Sequence, residues 1–261
     1  MALARCFVYY PSLVPNVAIE RVSTPGGEMV LFRRGTAFSI RVGTVELMNS
    51  LHHGSEDELG RLTSERVASV SAPRLLIGGL GLGYTARAAL DALPATAHVD
   101  IVEIVPEVVR WNRTILGGLA NHPLADPRVH VIEDDVANVI QRSDARYHAI
   151  LLDVDNGPDG VFQGNSGLYR RAGLVASFRA LAPEGVLAVW SSFQSPRFTT
   201  WLREVGGGEV EVTTIRSQCK GGGRHYIWFA HRRPARPSTT LMVAKPSKSA
   251  DSATSGGPAR S

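Results

Sequence analysis

A short apolar run followed by alternating glycines is the feature of this sequence that most constrains its fold. Residues 75–77 are Leu-Leu-Ile, a pattern typical of a strand buried on both faces of a parallel sheet. Gly79, Gly81 and Gly83 then permit a tight turn and let a ligand approach the backbone. Residues 85–93 predict a helix whose free N–H groups face that ligand. The stretch therefore predicts a nucleotide-binding turn.

An acidic residue ends the next predicted strand. Residues 99–102 form a second buried strand, and Glu103 follows it about twenty residues past the glycines, where it can accept hydrogen bonds from ribose hydroxyls. Gly81 and Gly83 with Ala86 also satisfy the G-x-G-x-x-A dinucleotide fingerprint, so an NAD site stays open. A simpler alternative is that the glycines only make a tight turn and close helix packing.

The composition is that of an ordinary soluble chain. Its 261 residues can hold one α/β domain with small additions. No apolar run approaches the ~20 residues that span a membrane, and prolines interrupt the one near the N-terminus, so neither an anchor nor a signal peptide is expected. Cys6 and Cys219 form no metal-like cluster and no disulfide framework. We expect a cytoplasmic protein without a metal.

The positive net charge of +4 is concentrated at the C-terminus. The segment 232–261 holds six basic residues and one acid, so the rest of the chain is close to neutral. A near-neutral body offers no electrostatic footprint for a phosphate backbone, and no nucleic-acid partner is expected beyond a weak polyanion contact of the tail. The tail is rich in Pro, Ser, Thr, Ala and Gly, which predicts disorder.

Residues 1–54 predict a small antiparallel leader sheet. Its three short strands, separated by glycine turns, are residues 28–32, 37–41 and 44–48. This leader is placed to lie over one edge of the nucleotide site. A helix is expected over residues 56–70, with Ser55 as its N-cap and Glu58 at the third position of a capping box.

Strands and helices alternate over residues 55–231, which predicts an α/β catalytic domain with a Rossmann-like, doubly wound, mostly parallel sheet of seven strands. Residues 168–181 predict one helix and residues 183–185 a turn. The last two strands are joined by a link too short for a crossover helix, so they should form an antiparallel hairpin. Such an ending is typical of S-adenosylmethionine-dependent enzymes. The strands beyond Glu103 are residues 128–132, 147–152, 186–190, 209–215 and 225–230.

Acidic residues follow the third predicted strand, at the sheet edge where ligands bind in such folds. Asp135, or its neighbour Asp134, is placed to accept a hydrogen bond from an adenine amino group. The alternative is an N-cap and first-turn acid for a helix over residues 136–141. Both roles can hold at once through different oxygens.

The segment after the fourth strand is the best catalytic candidate. Asp153, Asp155, Asn156 and Asp159 follow that strand beside the point where strand order reverses. Carboxylates there suit a cationic substrate, because a carboxylate can orient an ammonium group and then accept its proton. Alternatively, all but Asp153 only shape a turn.

Other polar and aromatic candidates are less specific. His52 and His53 have no partner at metal spacing, which favours a loop role over a ligand role. Tyr169, Trp190 and Phe193 are candidates for pocket walls, although lone aromatic residues are more often part of the core.

Four stretches resemble one known family. They are Leu-Ile-Gly-Gly-Leu-Gly-Leu-Gly at 76–83, Val-Asp-Ile-Val-Glu-Ile-Val-Pro-Glu-Val-Val at 99–109, Asp-Pro-Arg-Val at 126–129 with Asp135 following, and Ala-Ile-Leu-Leu-Asp at 149–153. Together they are similar to the catalytic domain of the spermidine synthases, the polyamine aminopropyltransferases. The resemblance extends over roughly residues 29–229.

The resemblance implies roles for particular residues. Glu103 would bind ribose, Asp135 would contact adenine, and Asp153 would open the family's Asp-x-x-Asp-Pro motif and act as the base. Glu56, with Ser55, falls where the family has a His-Glu pair that closes the substrate pocket.

The sequence departs from the family pattern on the substrate side. Asn156 replaces the second aspartate of the motif, Gly157 replaces its proline, and no tyrosine or histidine directly precedes the pocket glutamate. These departures indicate a changed acceptor.

The expected activity is transfer of an aminopropyl group from decarboxylated S-adenosylmethionine to a small-molecule amine, with Asp153 as general base. Glu56, Asp155, Asn156 and Tyr169 are the expected substrate-binding residues. The alternatives are an S-adenosylmethionine-dependent methyltransferase, a non-catalytic nucleotide-binding homologue and, last, an NAD oxidoreductase. Family members are often dimers, so a homodimer is a further expectation.

Overall fold

The computed structural model describes residues 14–24, 26–154, 157–158, 166–206, 208–216 and 223–233. These residues form a four-stranded antiparallel sheet followed by a seven-stranded, mostly parallel sheet with helices on both faces. Asp155, Asn156, Asp159 and the tail beyond Arg233 lie outside the described residues.

The leader sheet has one strand more than the sequence pattern predicts. Its strands are β1 (Val17–Thr24), β2 (Gly27–Arg34), β3 (Ala37–Val42) and β4 (Val45–Asn49), and each pairs antiparallel with the next. The extra strand β1 lies at the edge and has no buried residue, which explains why no apolar alternation marks it. Leu31 and Ile40 are fully buried and fix the inner face of this sheet.

The helix α1 (Gly54–Arg66) begins and ends earlier than expected. The prediction that Ser55 is its N-cap is wrong, because His53 occupies the N-cap position and Ser55 lies inside the first turn. The Ser55 hydroxyl donates to the Glu56 carboxylate and caps no backbone N–H group. The expected capping box with Glu58 is therefore absent from this helix.

The large sheet has the predicted seven strands and the predicted closing hairpin. Its order is β10-β11-β9-β8-β5-β6-β7, and β11 runs in the opposite direction to the other six strands. Strand order reverses between β5 and β8, because the chain winds outward from β5 in one direction and then in the other. The strands are β5 (Arg74–Gly78), β6 (His98–Glu103), β7 (Val129–Glu133), β8 (Tyr147–Leu152), β9 (Leu181–Ser191), β10 (Val210–Arg216) and β11 (Arg224–His231).

Two predictions before and within β9 need correction. The expected single helix over residues 168–181 is divided in two at Arg170. The expected turn at residues 183–185 is a bulge inside β9, where Glu184 has a positive φ of 63° and the pairing with β8 shifts register. The helices after α1 are α2 (Tyr84–Ala92), α3 (Pro106–Arg113), α4 (Val136–Gln141), α5 (Ser166–Tyr169), α6 (Arg171–Ala180) and α7 (Pro196–Gly206).

Two hydrophobic clusters cover the two faces of the large sheet. One contains Ile77 and Ile101 and continues into the leader sheet through Leu31. The other contains Leu76 and Ile150, whose side chains point to the opposite face. The leader and the large sheet thus share a core. Among the described residues, no helix is long and apolar enough to cross a bilayer.

Close packing of α1 on α2 holds the glycine turn in place. A Cβ at Gly60 would lie 2.4 Å from the Thr85 carbonyl oxygen, so only glycine lets the two helices approach this closely. This contact fixes the first turn of α2 at the carboxyl end of β5.

Candidate active site

A cavity of about 530 Å³ lies between the leader sheet and the carboxyl ends of the parallel strands. The glycine turn and the acidic strand ends form one side of it, and apolar leader side chains form the other. The leader therefore lies over the sheet edge at which the sequence predicts the nucleotide. The leader side chains that line the cavity are Thr24, Met29, Ile40, Val42, Leu47, Met48 and Asn49.

The glycine turn needs its glycines for conformation and for space. Gly79, Gly81 and Gly83 all have positive φ values, of 89°, 53° and 87°. A Cβ at Gly79 would also lie 2.3 Å from the carbonyl oxygen of Asp153. Gly83 is the N-cap residue of α2 and contributes no capping side chain, so the first N–H groups of the helix remain available to a ligand.

Glu103 ties the glycine turn to the end of β6. Its Oε2 accepts from the Leu80 N–H at 3.0 Å, and its Oε1 accepts from the Val105 N–H at 2.9 Å. Burial raises the pKa of Glu103, and these N–H groups oppose that effect. Each carboxylate oxygen can accept a second hydrogen bond, so this residue can hold the turn and a ligand hydroxyl together.

Asp134 and Asp135 line the cavity at the end of β7. Asp135 is the N-cap of α4, and its Oδ1 accepts from the Ala137 N–H at 2.8 Å. The predicted capping role is therefore confirmed, and Oδ2 has no partner among the described residues. Asp134 accepts from the Asn138 amide at 3.0 Å and pairs with Arg142 at 2.7 Å, which lowers its pKa.

An apolar residue that the sequence analysis did not select also lines this part of the cavity. Ile104 follows Glu103 and is 59% exposed, which is high for an isoleucine on a cavity wall. Its exposed side chain offers a flat apolar contact for a planar base. The sequence feature that could have identified Ile104 is its position directly after Glu103, the acid at the end of β6.

Asp153 stands directly after β8 at the point where strand order reverses. Its Oδ2 accepts from the Thr85 hydroxyl at 2.6 Å, which links it to the first turn of α2. Burial raises the pKa of Asp153 to about 6. A carboxylate in this state is a stronger base than an ordinary exposed aspartate.

Glu56 faces the same cavity from α1. Its Oε2 accepts from the Ser55 hydroxyl at 2.5 Å. Burial, and then the negative charge of Asp153, raise the pKa of Glu56 to about 7. The fold therefore brings together two predicted site residues that lie far apart in the sequence.

A tyrosine and a histidine stand beside Glu56, although neither directly precedes it in the sequence. Tyr84 lines the cavity from the start of α2, and its ring stacks on His53 with centroids 3.7 Å apart and an angle of 7°. His53 Nδ1 lies 2.7 Å from Asp57 Oδ2. No local sequence pattern marks Tyr84, since only the packing of α1 on α2 brings the two rings together.

The remaining aromatic candidates have different positions. Trp190 lines the cavity, whereas Phe193 is exposed and lies outside its lining. Tyr169 is buried, and its hydroxyl donates to the Val154 carbonyl at 2.9 Å. Tyr169 therefore supports the backbone next to Asp153 and does not line the cavity. The predicted substrate residues Asp155 and Asn156 lie outside the described part of the chain.

The charged residues that line the cavity are all acidic within the described part of the chain. No lysine, arginine or histidine is among its described lining residues. In the same part of the chain, no three His, Cys, Asp or Glu side chains are grouped to hold a metal ion. The cavity is thus suited to an organic cation. Its acids are Glu56, Glu103, Asp134, Asp135 and Asp153.

Comparisons with known proteins agree on one family. A family model for the spermine/spermidine synthase domain matches residues 69–202. A polyamine aminopropyltransferase from Mycobacterium tuberculosis is 30% identical over 195 residues, which cover 73% of this chain and 34% of that protein. One from Alkaliphilus oremlandii is 24% identical over 201 residues, which cover 77% of this chain and 64% of that protein. The chain thus spans about a third of the length of the mycobacterial relative.

Solved structures show the same fold. A spermidine synthase in complex with the transition state analogue AdoDATO superposes with a TM-score of 0.64 at 16% identity, over 88% of this chain and 79% of that one. The spermidine synthase from Thermotoga maritima superposes with a TM-score of 0.65 at 15% identity, over 88% of this chain and 80% of that one.

Proposed function

This chain belongs to the spermine/spermidine synthase family, and from that premise we propose that it transfers an aminopropyl group from decarboxylated S-adenosylmethionine to a small-molecule amine. The observation that carries the proposal is the acidic lining of the cavity. The donor carries a sulfonium and an ammonium charge and no carboxylate. S-adenosylmethionine itself would bring a carboxylate into a cavity whose described lining offers it no cationic side chain.

The nucleoside part of the donor fits the β6 and β7 strand ends. Glu103 would accept from ribose hydroxyls with the lone pairs that the glycine turn does not use. Asp135 would accept from the adenine amino group through Oδ2, because Oδ1 serves the helix cap. Ile104 would pack against the adenine ring. With the nucleoside held in this way, the sulfonium would lie toward Asp153, which lines the same cavity.

The reaction would be an in-line displacement. The acceptor nitrogen attacks the carbon beside the sulfonium, a C–N bond forms, and the C–S bond breaks with its electron pair going to sulfur. The products are the lengthened amine and neutral methylthioadenosine. Asp153 orients the acceptor ammonium and takes a proton from the nitrogen, while Thr85 holds this carboxylate in place. Proximity and orientation contribute most of the rate, about 7–11 kcal/mol of barrier in favourable systems.

Substitution of the proposed base tests the mechanism. We expect Asp153→Asn to lower the turnover number by roughly 10²–10⁴, because it removes proton acceptance. Donor affinity, measured by calorimetry, should be nearly unchanged. Asp144→Asn is the matched control, since Asp144 is exposed and lies outside the cavity lining. Full activity in Asp153→Asn would exclude this residue as the base.

Thermal shifts with three nucleotides test the identity of the donor. A ligand at a hundred times its dissociation constant adds about 2.7 kcal/mol, or roughly 5–10 °C at this size. We expect the shift with decarboxylated S-adenosylmethionine and not with NAD. A selective shift with S-adenosylmethionine would instead favour a methyltransferase. Donor binding without transfer to any amine would favour a non-catalytic homologue.

A further inference from the structure

We propose that Tyr84 binds the acceptor amine through its hydroxyl oxygen and that His53 is the positioning residue that holds its ring. The inference rests on the proposed function, because it assigns the acceptor half of the same cavity. The ligand class is a protonated primary amine, which brings N–H donors and a positive charge to this end of the cavity.

The position of Tyr84 places it at the reacting end. It is the first residue of α2, and the next residue, Thr85, donates its hydroxyl to Asp153 Oδ2. Tyr84 also lies within the electrostatic reach of Glu56, whose charge contributes to the raised pKa of the phenol. The phenol thus lies near Glu56, and its neighbour along the chain holds Asp153.

Two contacts fix the orientation of the Tyr84 ring. His53 covers one face in a parallel stack, and Asp57 holds the His53 imidazole through Nδ1. The Tyr84 hydroxyl donates to the Ser50 carbonyl at 3.4 Å. Because the single O–H hydrogen points toward Ser50, the phenol oxygen presents its lone pairs to other partners. An ammonium N–H is the complementary donor.

The phenol stays neutral under ordinary conditions. Burial, and then the charges of Asp57 and Glu56, raise the pKa of Tyr84 to about 12. Tyr84 therefore contributes a hydrogen-bond acceptor without charge, and the carboxylates supply the charge. This combination lets a small cation bind beside Glu56 and Asp153 without adding another ionised side chain to the cavity.

Trp190 forms a second aromatic wall next to Asp153. Leu152 pairs with Val189 across β8 and β9, so the next residues along the two strands, Asp153 and Trp190, are neighbours. The indole also lies against the His225 ring at 5.0 Å, which supports it from behind. A tryptophan face beside a carboxylate attracts an ammonium group.

The test is the affinity for an amine in Tyr84→Phe, which keeps the ring and its stack on His53. Binding of 1,4-diaminobutane and of n-butylamine is measured by calorimetry with methylthioadenosine present, and the KM of each amine is measured with the decarboxylated donor. We expect the amine affinity to fall roughly 10- to 100-fold, as for a lost hydrogen bond to a charged group, with donor affinity unchanged. Tyr226→Phe, on β11 and outside the cavity lining, is the control.

A second set of variants tests the positioning role of His53. His53→Ala should weaken amine binding, and His53→Phe should restore most of it, because an aromatic ring keeps the stack. His52→Ala is the matched control, since His52 is exposed and its hydrogen bonds within the described residues go to Asn49. Failure of His53→Phe to restore binding would contradict a role through stacking.

The outcomes separate this inference from the proposed reaction. Equal amine affinity in wild type and Tyr84→Phe overturns it, as does absence of amine binding to the wild type. A parallel loss of donor affinity also overturns it, because Tyr84 would then act on the nucleotide. If the wild type binds amines but transfers nothing, weaker binding in Tyr84→Phe still supports the acceptor site, and only the transfer reaction is wrong.

Discussion

Glu56 and Asp153 are two carboxylates that face one cavity, and each is costly to ionise there. Burial raises both pKa values, and the charge of Asp153 raises that of Glu56 further. Such a pair is unfavourable in the empty cavity and favourable once a cation lies between the two groups. The fold therefore loses stability at this end of the cavity, and in the proposed reaction the acceptor cation would offset that loss.

This cost predicts how stability depends on pH. The pKa of Glu56 is about 7 in the folded protein, above its ordinary value of 4.5. Its contribution to stability is therefore present below about pH 4.5 and is lost as the pH rises through 7. We expect Glu56→Gln to gain about 1 kcal/mol at pH 8, or about 2–4 °C in Tm, and almost nothing at pH 5.

Thermal unfolding of Glu56→Gln and wild type at both pH values checks this expectation. Glu209→Gln, at an exposed position, is the control and should show no pH-dependent gain. A gain of the same size at pH 5 and pH 8 would mean that ionisation of Glu56 is not the cause.

Site residues could be predicted from the sequence where a recognisable strand directly precedes them. The turn glycines, Glu103, Asp135 and Asp153 all follow strands and could be placed at one sheet edge from that fact alone. Tyr84 and the stack on His53 carry no such signal. Their roles depend on contacts between α1, α2 and the leader, which are set by packing at long range.

At the scale of elements, the α1–α2 contact depends on one glycine. A Cβ at Gly60 would lie 2.4 Å from the Thr85 carbonyl oxygen and 2.8 Å from the Ala89 nitrogen. These are backbone atoms of α2, so the helices would have to separate. We expect Gly60→Ala to destabilise the protein by about 2 kcal/mol, or about 4–8 °C in Tm, and to lower turnover because Thr85 holds Asp153.

Gly54→Ala on the same helix is the matched control. Nothing lies within 4 Å of a Cβ at Gly54. This variant should be neutral or gain up to about 1 kcal/mol from the helix preference of alanine. Equal Tm values for the two variants would show that close approach at Gly60 does not matter.

The sequence predicts elements well where apolar runs are long and flanked by turns. The strands β5 to β8 lie within about two residues of their predicted bounds. Errors arise where a side chain has a second possible partner or where two elements adjoin. Ser55 bonds Glu56 instead of capping α1, and residues 183–185 form a bulge inside β9 without ending the strand. The helix α7 was missed, although Phe198 and Leu202 give it a buried face at helical spacing.

For the whole molecule, the leader sheet is one wall of the cavity. Glu20 on β1 accepts from the Trp111 indole N–H at 2.9 Å and also pairs with Arg110, which ties the leader to α3. Leader side chains line the cavity opposite the glycine turn. No local pattern marks these contacts, because they join segments that are distant in the sequence.

Hydrogen exchange tests this shared wall. A donor that contacts both walls should slow amide exchange in β2 to β4 as well as in the glycine turn, because opening either wall would release it. Strand β10 lies at the far edge of the large sheet and serves as the internal control. Protection of the glycine turn without protection of the leader would mean that the leader does not hold the donor.

The acidic cavity also sets an order of departure. Clefts lined by one sign of charge draw in ligands of the opposite sign, an effect that salt weakens. In the proposed reaction both substrates arrive as cations. The sulfonium charge disappears on transfer, so methylthioadenosine is neutral. The lengthened amine keeps all the other positive charges of the two substrates. The nucleoside would therefore lose its electrostatic hold at the moment of transfer, and we expect it to leave first. We expect the amine to leave last and its release to quicken as ionic strength rises.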